Sequence, residues 1–108
     1  MKKSQVEFIL TQGQVFKYSI DVANQFKKDF VLCEKQNLDL KLIEKAVKIL
    51  ASTGKLPEKY RPHKLKGNFA GVWECHITSD WLMTWLQEDD KLTLLFLSTG
   101  SHSYLLGM

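Results

Sequence analysis

The sequence predicts a small α+β domain, in which a short N-terminal strand and a helical hairpin precede an antiparallel meander of three to four strands. Apolar residues recur at helical spacing in the first half of the chain, and an alternation of period two begins near Phe69. With 108 residues, of which 44% are hydrophobic, the chain can bury one modest core. We therefore expect a single domain over residues 1–108.

The helical half follows a weakly alternating segment, residues 15–20, which suits a short strand. Asp21 is a candidate cap for a first amphipathic helix, whose buried positions are Val22, Phe26, Phe30 and Cys33. A second helix begins at the candidate cap Asp39 and ends near Gly54, and it buries Leu40, Ile43, Val47 and Leu50. Residues 1–14 show no clean period and are a candidate mobile N-terminal extension.

The second half of the chain predicts the meander. From Phe69 onward Glu74 and His76 point to one side of a strand, while Trp73 and Cys75 point to the other. Residues 81–86 and 92–98 are rich in aromatic and aliphatic side chains and form two further strands, and residues 103–106 are a candidate edge strand. The two helices would cover one face of this sheet and leave the other face free to bind a ligand.

The chain carries no signal for export or for membrane insertion. No stretch approaches the roughly 18 consecutive apolar residues of a membrane span, and the apolar run near the start is too short for a secretory signal. We therefore expect a cytoplasmic protein without a membrane partner. In such a compartment Cys33 and Cys75 are expected to be free thiols.

Positive charge is concentrated in one segment, although the net charge is only +3. Twelve residues contain five basic side chains against the single acid Glu58; they are Lys55, Lys59, Arg61, Lys64 and Lys66. Contacts to a phosphate backbone need such a cluster. A solvated surface loop is the alternative interpretation.

The three histidines, His63, His76 and His102, are the candidate chemical groups. The unperturbed pKa of histidine, about 6.5, suits both proton uptake and proton release near neutral pH. A zinc site is the other interpretation, but the histidines lack local metal-binding spacing and no cysteine pair supports them. We expect neither a metal nor a cofactor.

Three motifs in this order resemble the C-terminal half of the YafQ-type toxins of the RelE/ParE superfamily. They are Tyr60-Arg61-Pro62-His63-Lys64-Leu65 with Gly67, then Glu74-Cys75-His76 with Asp80-Trp81, and finally Thr99-Gly100-Ser101-His102. The resemblance implies the RelE-like microbial RNase fold and a ribosome-dependent mRNA endoribonuclease, which cuts without a metal and leaves a 2′,3′-cyclic phosphate. It also implies as partners a cognate DinJ/RelB-like antitoxin, the ribosome with its mRNA, and operator DNA bound through the antitoxin.

The resemblance also implies roles for individual residues. His102 resembles a proton donor or acceptor at the scissile phosphate, and the group His76/Asp80, with Glu74 on the same face, is expected to supply the general base. His63 is expected to position or titrate against the phosphate.

Binding roles follow in the same way. The resemblance implies that Arg61, Lys64 and Lys66 hold the RNA backbone. Trp81 matches an aromatic position of the family, where it would stack on a base, although a tryptophan at strand spacing can equally belong to the core.

Ser98 departs from the family pattern, which carries an arginine there, and Leu106 replaces a late aromatic. Loss of one such donor typically costs on the order of 2.7–4 kcal/mol of transition-state stabilisation. Arg61, Lys64 or Lys66 would then have to supply the charge. The alternative is a non-catalytic RelE-fold protein that binds antitoxin and operator DNA or the ribosome, and a gyrase inhibitor of related fold ranks third.

Overall fold

The computed structural model of the chain describes residues 1–101, which form one sheet packed against helices. The helices are α1 (Val6–Thr11), α2 (Asn24–Lys35) and α3 (Leu40–Thr53), and the strands are β1 (Ser19–Val22), β2 (His63–Lys64), β3 (Trp73–His76), β4 (Trp81–Glu88) and β5 (Thr93–Ser101). Short 3-10 turns occupy Lys3–Gln5, Glu58–Tyr60 and Gly67–Phe69. The five strands lie in the order β1-β5-β4-β3-β2. The candidate edge strand 103–106 and His102 lie outside the described residues.

The predicted α+β architecture is confirmed, with one strand placed differently. Strand β1 runs parallel to β5, with Ser19 opposite Thr93, whereas the pairs from β2 to β5 are antiparallel. A parallel pair needs a long crossover, and here the helices α2 and α3 lie between the two strands in the chain. Because Asp21 pairs with Leu95 inside β1, the prediction that Asp21 caps the first helix is wrong, and the cap position is Ala23.

Helix α3 has the ends that the sequence predicts. The carboxylate of Asp39 accepts a hydrogen bond from the backbone N–H of Lys41 at 3.1 Å. Gly54 ends the helix in the left-handed region, at a φ of 77°. A Cβ at this position would lie 2.5 Å from the hydroxyl of Tyr18, so the close approach also requires glycine.

Residues 1–14, the candidate mobile extension, contain a helix that packs against the core. They contain α1, whose side chains Val6 and Leu10 are fully buried among the side chains of the core. The helix then ends at Gln12 in the left-handed conformation. The segment escaped prediction because six residues of helix are too few to show a period.

The core lies between the helices and one face of the sheet. Its largest side chains are Trp85, Phe26, Phe30 and Phe96. Cys33 and Cys75 are free and buried, as predicted, and burial raises the pKa of their thiols to about 11 and about 12. Neither thiol is therefore a candidate nucleophile. Within residues 1–101, no helix has the length and apolar character needed to cross a membrane.

Candidate functional site

Four polar side chains cross the sheet in one row on the face opposite the helices. His63 pairs with Glu74, Glu74 pairs with Thr84, and Thr84 pairs with Ser98. Residues directly opposite each other in neighbouring strands point to the same face. The row therefore runs from β2 to β5, and we call it the polar row.

Glu74 is the most buried member of the polar row. The residue is 5% exposed, and its Oε1 lies 3.2 Å from Nε2 of His63. Its other oxygen, Oε2, is buried and has no hydrogen-bond partner among residues 1–101. A buried carboxylate oxygen without a partner costs free energy and calls for an explanation, of which a catalytic role is one. The structure thus brings together two of the residues that the sequence predicts, Glu74 and His63.

His63 has an oxygen at each of its ring nitrogens. Nδ1 donates a hydrogen bond to the carbonyl of Arg61 at 2.8 Å, because a carbonyl can only accept. Arg61 adopts the left-handed conformation, at a φ of 49°, which is uncommon for a residue with a long side chain. With Nδ1 donating, Nε2 is the ring nitrogen that faces Oε1 of Glu74. The two groups are therefore placed to share a proton.

His76 lies on the same face, two residues along β3 from Glu74. Its Nδ1 faces the carbonyl of Ser79 at 3.3 Å and donates to it across the turn. In the neutral ring, Nε2 then keeps its lone pair and can accept a proton. This is the arrangement that a general base requires.

The predicted group of His76 and Asp80 is not joined. Asp80 lies exposed in the turn before β4, and within residues 1–101 no ion pair links it to His76. The histidine–carboxylate pair of this face is instead His63 with Glu74. Sequence reasoning could not choose between them, because β2 has only two residues and shows no period of its own.

Two of the predicted RNA-binding residues lie on the helix-covered face. Trp81 is 3% exposed, and its indole N–H donates to Oγ1 of Thr99 at 2.9 Å. No face of its ring is open to a base. The prediction that Trp81 stacks on an RNA base is therefore corrected, and the side chain belongs to the core. Lys64 pairs with Trp73, and its ammonium lies 5.6 Å from the centre of that ring, on the side of the sheet away from His63. Arg61 and Lys66 are exposed.

Ser98 stands at the end of the polar row, and its hydroxyl shares a hydrogen bond with that of Thr84. Thr84 was missed by the sequence analysis, since only the strand register shows that it lies between Glu74 and Ser98. The last described residue, Ser101, ends β5 opposite Trp81. Among residues 1–101, no group of three or more His, Cys, Asp or Glu side chains could hold a metal ion.

The fold and this face define a class of bacterial toxin. A family model described as a bacterial toxin of type II toxin–antitoxin systems, YafQ, matches residues 18–107. The chain belongs to this family, as the sequence motifs predict.

Individual relatives agree with this assignment. The mRNA interferase toxin YafQ of Escherichia coli K12 is 33% identical over 89 residues, which cover 82% of this chain and 95% of that protein. The crystal structure of the E. coli DinJ-YafQ complex matches with a TM-score of 0.76 and 28% identity, covering 83% of this chain and 99% of that one. A metal-bound toxin from Helicobacter pylori matches with a TM-score of 0.74 and 36% identity, covering 82% and 98%.

Proposed function

We propose that this protein is a ribosome-dependent mRNA endoribonuclease that inhibits translation from the cytoplasm. The observation that carries the proposal is the polar face of the sheet, where Glu74, His63 and His76 offer both a proton donor and a proton acceptor. A relative with 33% identity is named an mRNA interferase toxin. Metal-independent cleavage of RNA needs such a donor and acceptor on opposite sides of one phosphate.

The reaction assigned to this face is transesterification within the RNA. His76 takes the proton of a 2′-hydroxyl at Nε2 while the 2′-oxygen bonds to the adjacent phosphorus, and the bond from phosphorus to the 5′-oxygen breaks. The departing 5′-oxygen receives a proton from His102, and the products are a 2′,3′-cyclic phosphate and a free 5′-hydroxyl. A proton shared between His63 and Glu74 provides a second donor on this face of the sheet. Arg61 and Lys66, both exposed beside β2, are the cations assigned to the phosphate oxygens.

The partners follow from the same assignment. We assign to this toxin a cognate antitoxin of the DinJ/RelB type, and operator DNA that is bound through that antitoxin. Relatives have been crystallised as DinJ-YafQ complexes, which supports the antitoxin. The ribosome and its mRNA are the assigned targets.

One observation favours a second candidate, a non-catalytic protein that binds the ribosome or the antitoxin and operator DNA. Ser98 stands where the family arginine is expected. Its side chain is an uncharged hydroxyl, which is hydrogen-bonded to the hydroxyl of Thr84. Without a guanidinium, the transition state loses a bidentate cation.

The deciding experiment is primer extension on an mRNA translated in a purified bacterial system. It compares the wild-type protein, His102→Ala, His76→Ala and a reaction without ribosomes, with Lys41→Ala on the exposed side of α3 as a surface control. We expect in-frame cuts by the wild type and the control only. An uncut message together with tight ribosome binding would replace the nuclease by the binding protein.

A further inference from the structure

Asp29 is a buried carboxylate that the proposed reaction does not use. It lies on α2, is 1% exposed, and reaches the end of β5. Oδ2 accepts a hydrogen bond from the backbone N–H of Thr99 at 3.1 Å, and Oδ1 accepts one from the amide of Gln25 at 2.9 Å. Aspartate is almost never fully buried without such partners, because removing the charge from water is costly.

Thr99 is held from two elements at once. Its backbone N–H is bonded to Asp29 of α2, while its Oγ1 donates to the carbonyl of Leu82 at 2.7 Å and accepts from the indole of Trp81, both on β4. Thr99 itself is fully buried. The cavity beside it has a volume of only about 50 Å³. The end of β5 is therefore clamped between a helix and a strand.

The clamped residue opens the motif Thr99-Gly100-Ser101-His102. We propose that Asp29 is a positioning residue, which fixes the strand end from which the chain continues to His102. This inference rests on the proposed function, because the proton transfer by His102 belongs to that proposal. A catalytic group misplaced by about 1 Å can cost roughly 100-fold in rate, so a fixed strand end has a direct effect on the reaction.

The carboxylate suits this task better than a neutral side chain. Its two oxygens both accept, and each faces a donor, Thr99 N–H or Gln25 N–H. A hydrogen bond to an ionised acceptor is roughly twice as strong as a neutral one. In Asp29→Asn the amide oxygen can keep the Thr99 N–H, while its NH2 faces Gln25, whose own amide can turn to accept. The bond to Thr99 then becomes a neutral one, so the clamp is weakened while the shape is kept.

The test compares Asp29→Asn with two controls in the full chain. Gln25→Ala removes the Gln25 hydrogen bond to Asp29 and keeps the carboxylate that binds Thr99, and Val47→Ala lowers stability from the buried face of α3. In Asp29→Asn we expect faster hydrogen exchange of the Thr99–Ser101 amides and a single-turnover cleavage rate on ribosomes lower by about 10- to 100-fold. Ribosome affinity should change less than about threefold.

A double-mutant cycle separates positioning from stability. Once His102→Ala has removed the acid, Asp29→Asn should cause no further loss of rate, because both changes act on one step. Two results would overturn the proposal. In the first, the losses of cleavage rate from the two single variants multiply in the double variant. In the second, Asp29→Asn loses no more cleavage rate than a Val47→Ala protein of equal stability. Should Asp29→Asn fail to fold, Trp81→Phe loosens the same clamp from β4, and the same outcomes apply.

A wild-type protein that does not cleave would refute the proposed function and leave this inference open to a structural test. The NMR signals of the His102 ring are then compared between Asp29→Asn and Val47→Ala. A larger change in Asp29→Asn supports positioning, and an equal or smaller change overturns it.

Discussion

Glu74 is a carboxylate side chain with one oxygen paired to His63 and the other oxygen buried without a partner among residues 1–101. Burial makes the pairing of Oε1 with His63 stronger and the isolation of Oε2 more costly. The isolated oxygen therefore costs stability, and the proposed role of Glu74 in proton transfer accounts for it. Such conflicts between local energetics and packing are expected at functional sites.

Glu74→Gln should lower activity without lowering stability. The amide cannot share a proton with His63, so the single-turnover cleavage rate should fall by up to about 10²-fold, the low end of the contribution of acid–base catalysis, because His102 remains the first donor. Removal of a half-satisfied buried charge should leave the free energy of unfolding in urea unchanged or raised. Glu88→Gln, on an exposed pair with Lys91, is the matched control and should change neither quantity. Parallel losses of activity and stability would show that Glu74 is structural.

Ser98→Arg tests the departure from the family pattern. Ser98 and Glu74 are separated by β4 alone, about 9.5 Å between backbones, so an arginine here can reach Oε2 of Glu74, which has no partner among residues 1–101. We expect the free energy of unfolding to rise by about 1.5–3 kcal/mol through this charged hydrogen bond. Cleavage should rise by roughly 100- to 1000-fold if the transition state lacks a guanidinium.

Ser98→Lys is the control that adds a positive charge without the planar guanidinium of arginine. It should raise the cleavage rate less than Ser98→Arg does. The stability gain should disappear when Ser98→Arg is combined with Glu74→Gln. An unchanged cleavage rate would indicate that Arg61 or Lys66 already supplies the charge, since Lys64 lies on the other side of the sheet.

At the scale of elements, prediction succeeded where the signal is local. Helix α3 was predicted with both ends because Asp39 and Gly54 act within one turn. The parallel pairing of β1 with β5 depends on contacts more than 70 positions apart in sequence, which no local pattern encodes. Strand β4 is buried on both faces, as Leu82 and Met83 show, so alternation could not tell on which face Trp81 lies.

Helix α1 contributes an element that precedes the part of the chain matched by the family model. Leu10→Ala should lower the free energy of unfolding by about 2–5 kcal/mol, because it leaves a cavity under a fully buried side chain. Phe8→Ala, on the exposed side of the same helix at 65% exposure, should cost less than about 0.5 kcal/mol. Urea unfolding followed by tryptophan fluorescence measures both. Equal small effects would mean that α1 does not belong to the cooperative unit.

At the scale of the whole molecule, the sheet separates two sides of the protein. The structural side carries the helices and the core, and the chemical side carries the candidate functional site. The helices and the large aromatic side chains fill one face, and the polar row with His76 occupies the other. The motifs of the sequence analysis contribute to both faces: Trp81 and Lys64 stand on the structural side, His63 and Glu74 on the chemical side. Sequence order alone could not assign these sides, since the phase of a strand is set by its neighbours.

Together with the proposed function, this division predicts which basic residues contact a ribosome. Neutralising Arg61 and Lys66 with glutamine should weaken ribosome binding at low salt and reduce the slope of log affinity against log salt concentration, by about 0.7–0.9 for each phosphate that the protein no longer neutralises. The matched control, Lys41→Gln with Lys45→Gln on the exposed side of α3, removes the same charge from the structural side. It should leave the slope nearly unchanged. Equal slopes for the two double variants would mean that net charge, rather than the position of Arg61 and Lys66 beside β2, governs binding.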